Sequence, residues 1–126
     1  MPRILIAEDE ESLRGLLRRG LAALGHEVVV AADGAEAFEA LSTQPAFDLL
    51  LSDIRMPVMD GIALALAMAR DQPDLAILLM TGYSEHREQA QGLDAIIRGV
   101  VAKPFTLEEI CVQVNAALAP RGIKNP

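Results

Sequence analysis

Residues 51–61 read LSDIRMPVMDG, from Leu51 to Gly61, and they join an apolar run directly to a carboxylate. The run from Phe47 to Leu51 has the composition of a buried strand, yet it ends, past Ser52, on Asp53. A bare carboxylate among apolar groups is costly unless an opposite charge faces it. Met56-Pro57 and Asp60-Gly61 then supply turn chemistry, so the chain must reverse just past the aspartate. The question is what faces Asp53.

The pattern on either side shows which fold could answer. Ile4 to Ala7 is a short apolar strand, and Leu13, Leu16, Leu17, Leu21 and Leu24 recur at helical spacing before Gly25 stops the helix. Val28 to Val30 is a second strand, with Ala37, Phe38 and Leu41 marking a helix after it. Beyond the Leu49–Leu51 strand, residues 62–70 form an Ala-rich helix closed by Pro73, and Leu75 to Met80 is a fourth strand. Residues 84–91 are polar and form only a weak helix; Val100 to Ala102 is the fifth strand. Leu107, Ile110, Cys111, Val114 and Leu118 line the last helix, which puts Cys111 in core packing, and residues 121–126 are a tail. Strands alternating five times with helices predict an α/β fold, a parallel sheet covered on both faces.

Bulk properties narrow the class. The 126 residues fit one domain, and 52% hydrophobic content excludes disorder. One cysteine excludes an internal disulfide and fits a reducing compartment. No apolar run approaches the roughly 18 residues of a membrane span, and no signal peptide is visible, so the expected location is cytoplasmic with no membrane partner. The net charge of −7 argues against nucleic acid, which is bound by clustered Lys and Arg. Only Arg14, Arg18 and Arg19 gather, on the polar face of the first helix, as a solvated face or a docking patch for a partner.

In a parallel α/β sheet, ligands bind beyond the carboxyl ends of the strands. The residues there are Glu8-Asp9, Asp53, Thr81-Gly82 and Lys103-Pro104. Singly they are ordinary: Glu8 and Asp9 could complement a helix N-terminus, Asp53 could sit in a turn, Thr81 could cap, and Lys103 could be solvated. Together, at four strand ends, they form a constellation. Like charges a few ångströms apart repel by about 4 kcal/mol at an effective dielectric near 20. A divalent cation relieves this, and magnesium suits carboxylates, a carbonyl and waters. Asp53 then becomes a candidate nucleophile for phosphoryl transfer, with Lys103 and Thr81 to hold the phosphoryl oxygens.

With these motifs in view, the chain resembles the receiver domain of bacterial two-component response regulators, the CheY-like family, over about residues 3–119. The resemblance rests on Glu8-Asp9, the Asp53–Gly61 stretch, Thr81-Gly82 and Lys103-Pro104-Phe105. It implies a flavodoxin-like (βα)5 doubly wound parallel sheet of order 2-1-3-4-5, with a receiver domain at 1–120. It also implies Asp53 as the phosphoacceptor and Mg2+ held directly by Asp9, Asp53 and the backbone carbonyl of Arg55, with Glu8 acting mainly through water. Thr81 would be the switch hydroxyl and Lys103 the phosphate-binding ammonium, and the peptide before Pro104 would be cis. Such a chain is a signalling domain and no ordinary enzyme. Its expected partners are a histidine kinase or histidine phosphotransferase, and a downstream protein on the face of the fourth helix, fifth strand and last helix.

Closer likeness is to single-domain regulators of the CpdR type, carried by Ile4–Asp9, Leu24–Val28, Met80–Tyr83 and Ala102–Leu107. That likeness implies an adaptor for regulated proteolysis, with ClpXP one candidate partner. A phosphate shuttle or sink in a phosphorelay, and a receiver excised from a hybrid kinase, are the alternatives. Many receivers place an aromatic three residues before the lysine; here Val100 stands there, and Tyr83, two residues after Thr81, is the candidate switch aromatic. A magnesium phosphatase would want a carboxylate where Arg55 stands, and a flavodoxin phosphate loop would be repelled by Glu8 to Glu11.

Overall fold

The computed structural model describes residues 1–82, 90 and 92–119. The predicted weak helix at 84–91 and the tail at 121–126 therefore fall, all but residue 90, outside the described residues, as does Tyr83. Among the described residues nine elements follow in order: β1 (Arg3–Ala7), α1 (Glu11–Ala23), β2 (Glu27–Ala31), α2 (Gly34–Thr43), β3 (Leu49–Asp53), α3 (Gly61–Asp71), β4 (Ala76–Thr81), β5 (Gly99–Ala102) and α4 (Leu107–Leu118).

The five strands are parallel and ordered β2-β1-β3-β4-β5, as the family resemblance implied. β3 lies at the centre, buried along its whole length, with Leu50 opposite Leu5 on one side and Ile77 on the other. Alternation along the strands sends side chains to two apolar layers. Leu5, Leu50, Ile77 and Leu79 pack against Leu41 of α2 and Leu64 and Met68 of α3. On the other face Ile6, Leu49, Leu51 and Met80 meet Leu17 and Leu21 of α1 and Ile110 and Val114 of α4. Each fully buried aliphatic side chain contributes about 1.5–3 kcal/mol.

Helix starts are set by polar side chains that take up orphan backbone amides. Asp33 accepts from Glu36 N at 2.8 Å and Asp60 from Ala63 N at 2.8 Å. Thr106 and Glu109 form a reciprocal capping box at the start of α4. Gly25, at φ +94°, turns the chain out of α1 in a conformation only glycine takes without strain.

Three details differ from the pattern read in the sequence. Leu16 and Leu24 are 44% and 52% exposed and do not belong to the core stripe. α1 meets the sheet along the i, i+4 pair Leu17–Leu21; Leu16 is rotated off that line, and Leu24 lies past the end of the helix. Asp53 and Thr81 are the last residues of β3 and β4 rather than the first after them. Strand pairing carries on to Asp53–Met80 and Thr81–Ala102, so both functional candidates are held by the ladder itself. Phe47 precedes β3, buried beneath the Arg3 guanidinium at 4.1 Å from the ring centre. Cys111 packs partly buried against the α1–α4 layer.

Candidate phosphoacceptor site

Four strand ends deliver the site. β1 ends in Ala7, and the next residue, Glu8, is tied to the edge strand by its amide, which donates to Ala31 O at 3.1 Å. The chain then turns at Asp9 into α1, with Glu10 N donating to Glu8 Oε2 at 3.0 Å. Asp53 closes β3 and Thr81 closes β4, and both are buried. Lys103 leaves β5 with its amide bonded to Thr81 O at 2.8 Å, and the Lys103–Pro104 peptide is cis.

Glycine makes the central turn possible. A Cβ on Gly61 would stand 2.9 Å from Ile54 Cα and 3.0 Å from the Asp53 carbonyl carbon. Only a residue without a side chain lets α3 start against the end of β3, and Gly61 N donates to Ile54 O at 2.8 Å. The turn between them is strained. Met59 N bonds Pro57 O at 2.8 Å across Val58, whose φ is +72°. That is a three-residue turn in a region β-branched residues rarely enter.

The side chains converge as the sequence pattern predicted. One carboxylate oxygen from each of Glu8, Asp9 and Asp53 lies within 4.8 Å of the others. Lys103 Nζ stands 3.3 Å from Glu8 Oε1 and 3.3 Å from Asp53 Oδ2. A cleft of about 670 Å³ opens over them, with Arg55, Thr81 and Gly82 on its wall. One ammonium against three carboxylates leaves an excess of negative charge. Burial accordingly pushes the Asp53 carboxyl up, and Asp9 adds to this, while Lys103 works the other way. Burial likewise raises Glu8, against the Glu10 amide and with the Asp53 charge. Burial opposes the charge on Lys103, but Asp53 and Glu8 outweigh it and hold the ammonium above its ordinary range. An all-oxygen donor set with uncompensated negative charge fits a small hard dication.

Two features of the site were not read from the sequence. Glu8 is completely buried and ion-paired to Lys103, and Arg14 Nη1 donates to the Glu8 backbone carbonyl at 2.9 Å. The acidic run Glu8 to Glu11 looks uniform in sequence; only the strand–helix junction separates an inward Glu8 from an exposed Asp9. Tyr83, the candidate switch aromatic, lies outside the described residues, while Val100 packs partly buried against the α2–α3 layer.

Fold and site together define a signalling domain that takes a phosphoryl group on an aspartate. Residues 4–115 match the family model described as the response regulator receiver domain. The chain belongs to that family, and it is a phosphoacceptor domain rather than a conventional enzyme. It is 35% identical over 121 residues to the transcriptional regulatory protein PrrA of Mycobacterium tuberculosis, covering 96% of this chain and 52% of PrrA. It is 36% identical over 116 residues to the response regulator MprA of Mycobacterium ulcerans, covering 92% of this chain and 50% of MprA. The chain thus spans about half the length of these curated relatives. Among solved structures, the response regulator TrrA of Thermotoga maritima, in complex with Mg(2+)-BeF, superposes with a TM-score of 0.84 at 31% identity, covering 93% of this chain and 99% of that one.

Proposed function

We propose that Asp53 accepts a phosphoryl group from a histidine kinase or histidine phosphotransferase, and that the modified chain exchanges protein partners. The observation that carries this reading is the buried Asp53 carboxylate held 3.3 Å from Lys103 within the acidic triad. An Asp53 oxygen attacks the donor phosphorus; the new O–P bond forms as the P–N bond breaks, and its electron pair leaves with the donor imidazole. Lys103 and Thr81 are assigned the phosphoryl oxygens. Asp9, Asp53 and the Arg55 carbonyl would hold Mg2+, with Glu8 acting through water. When bound, the ion neutralises charge between the carboxylates and the incoming phosphoryl group.

Acetyl phosphate with millimolar magnesium tests this by intact mass. Wild type gains one phosphoryl group, Asp53→Asn gains none, and an adduct on Asp53→Asn overturns the assignment.

Finer readings are also proposals. We place the receiver at 1–120, a tail at 121–126 and the protein in the cytoplasm; among the described residues no helix is long and apolar enough to cross a membrane. Thr81 and Tyr83 are assigned the switch, with output through the segment 84–91, β5 and α4. The CpdR-like stretches support an adaptor for regulated proteolysis toward ClpXP, beside a phosphate shuttle or the receiver of a hybrid kinase. The half-length match to PrrA supports a different output, as the receiver half of a longer transcriptional regulator. A pull-down with beryllofluoride-loaded wild type and Asp53→Ala separates these readings: ClpX recovered with only one form supports the adaptor, and its absence from both removes it.

A further inference from the structure

The outer flank of α1 carries a second charged feature, separate from the acidic site. Arg14, Arg18 and Arg19, with Glu11, Gly15 and Val30, line an open groove of about 590 Å³. It runs between α1 and the edge strand β2. Among the described residues Arg18 and Arg19 make no hydrogen bond or ion pair, whereas the other described arginines all have partners. In a chain of net charge −7, these two exposed guanidiniums stand without a carboxylate partner.

Gly15 sharpens it. A glycine inside a helix costs about 0.5–1 kcal/mol relative to alanine. A Cβ there would meet Arg19 Nη1 at 3.2 Å, so the bare position is filled by the Arg19 guanidinium folded back along the groove. The other wall is a strand edge. β2 is outermost in the sheet, pairs with β1 in unbroken register from Glu27 to Ala31, and presents Val30 at 37% exposure. Among the described residues nothing pairs its outer side, and no bulge or proline interrupts it. Val28 packs into the α1–α4 layer, and by alternation Val30 lies on that same face.

We propose that this groove binds an extended acidic segment of a partner protein, added as a strand to the free edge of β2. Alternate side chains of such a strand fall on the α1 side of the sheet, where carboxylates meet Arg18, Arg19 and the remaining donors of Arg14. The guanidinium fork matches a carboxylate in geometry as well as charge. A nucleic-acid ligand is disfavoured, because phosphate tracking needs a long basic surface and the rest of this chain repels it.

The test uses fluorescence anisotropy with a capped, dye-labelled peptide in which Glu alternates with Thr. A peptide of the same composition, with the Glu residues in one block, serves as comparison. Wild type binds the alternating peptide more tightly than the block peptide, and Arg18→Glu/Arg19→Glu binds it at least about tenfold more weakly. The double variant keeps its melting temperature and its acetyl phosphate labelling on Asp53, since neither arginine touches that site. Equal affinity of wild type and variant overturns the proposal, and equal affinity for the two peptides overturns the strand pairing. Tighter binding of a single-stranded oligonucleotide, or self-association abolished by the double variant without any peptide binding, overturns it as well.

Discussion

Lys103 reaches Glu8 and Asp53 with equal 3.3 Å contacts, although Glu8 is fully buried at the end of β1 and Asp53 closes β3. The ammonium is therefore shared between two carboxylates. Any phosphoryl group arriving on Asp53 has to compete with Glu8 for it. Glu8→Gln removes one contestant while keeping an oxygen acceptor for the Glu10 amide. We expect it to fold normally, to bind Mg2+ several-fold more weakly, and to be labelled more slowly by acetyl phosphate at limiting magnesium. Titration of magnesium-dependent labelling rates checks this, and an unchanged half-saturation point would show that Glu8 takes no part in holding the ion.

The metal-free protein should gain stability when Asp53 loses its charge. Its carboxyl lies above the ordinary range in the fold. A group raised on folding contributes stability that is present at low pH and lost as pH rises through its folded value. At neutral pH the charged Asp53 is thus a burden. In chelator, Asp53→Asn should melt a few degrees higher than wild type, about the shift expected from 1 kcal/mol in a domain of this size. Millimolar magnesium should raise wild type and narrow the gap. A lower melting temperature for Asp53→Asn in chelator would contradict the electrostatic account.

The acidic triad and its lysine were legible in the sequence because each residue follows or ends an apolar run, and the parallel-sheet rule places those ends together. Register was not legible. An apolar run such as Phe47–Leu51 does not say where pairing stops, and it is the ladder to Met80 that makes Asp53 a strand residue. The helical stripe of α1 was over-read because leucines at every third and fourth position can exceed the width of the buried face; Leu16 and Leu24 are the excess. The burial of Glu8 was not legible, since it opens an acidic run in which Asp9, Glu10 and Glu11 carry the same charge.

Val58 offers a stability test of the strained turn. Its φ of +72° costs a β-branched residue on the order of 1–3 kcal/mol, and its side chain is 83% exposed, so little packing offsets the strain. Val58→Gly releases the strain but adds unfolded-state entropy, which returns part of the gain. The net expectation is stabilisation by about 1 kcal/mol in chemical denaturation. Destabilisation would mean that Val58 makes contacts worth more than its backbone strain.

Gly34 and Met59 give the sharpest test of how the phosphoacceptor loop is held. Gly34 begins α2, where a glycine-to-alanine change ordinarily helps a helix. Here an added Cβ would stand 2.7 Å from the Met59 carbonyl carbon and 2.8 Å from Met59 Cβ, with the carbonyl oxygen closer still. None of these is the far end of a flexible side chain, so the loop backbone must move. That loop runs from Asp53 through Arg55 to the Asp60 cap, and shifting Met59 disturbs the segment assigned to the metal. Gly34→Ala should therefore destabilise the fold by about 1–3 kcal/mol, the usual cost of overpacking, instead of stabilising it. It should also weaken magnesium-dependent labelling of Asp53 at temperatures where the variant is fully folded. Gly34→Ala that melts at or above the wild-type temperature, with unchanged magnesium dependence, would show that α2 does not brace the loop.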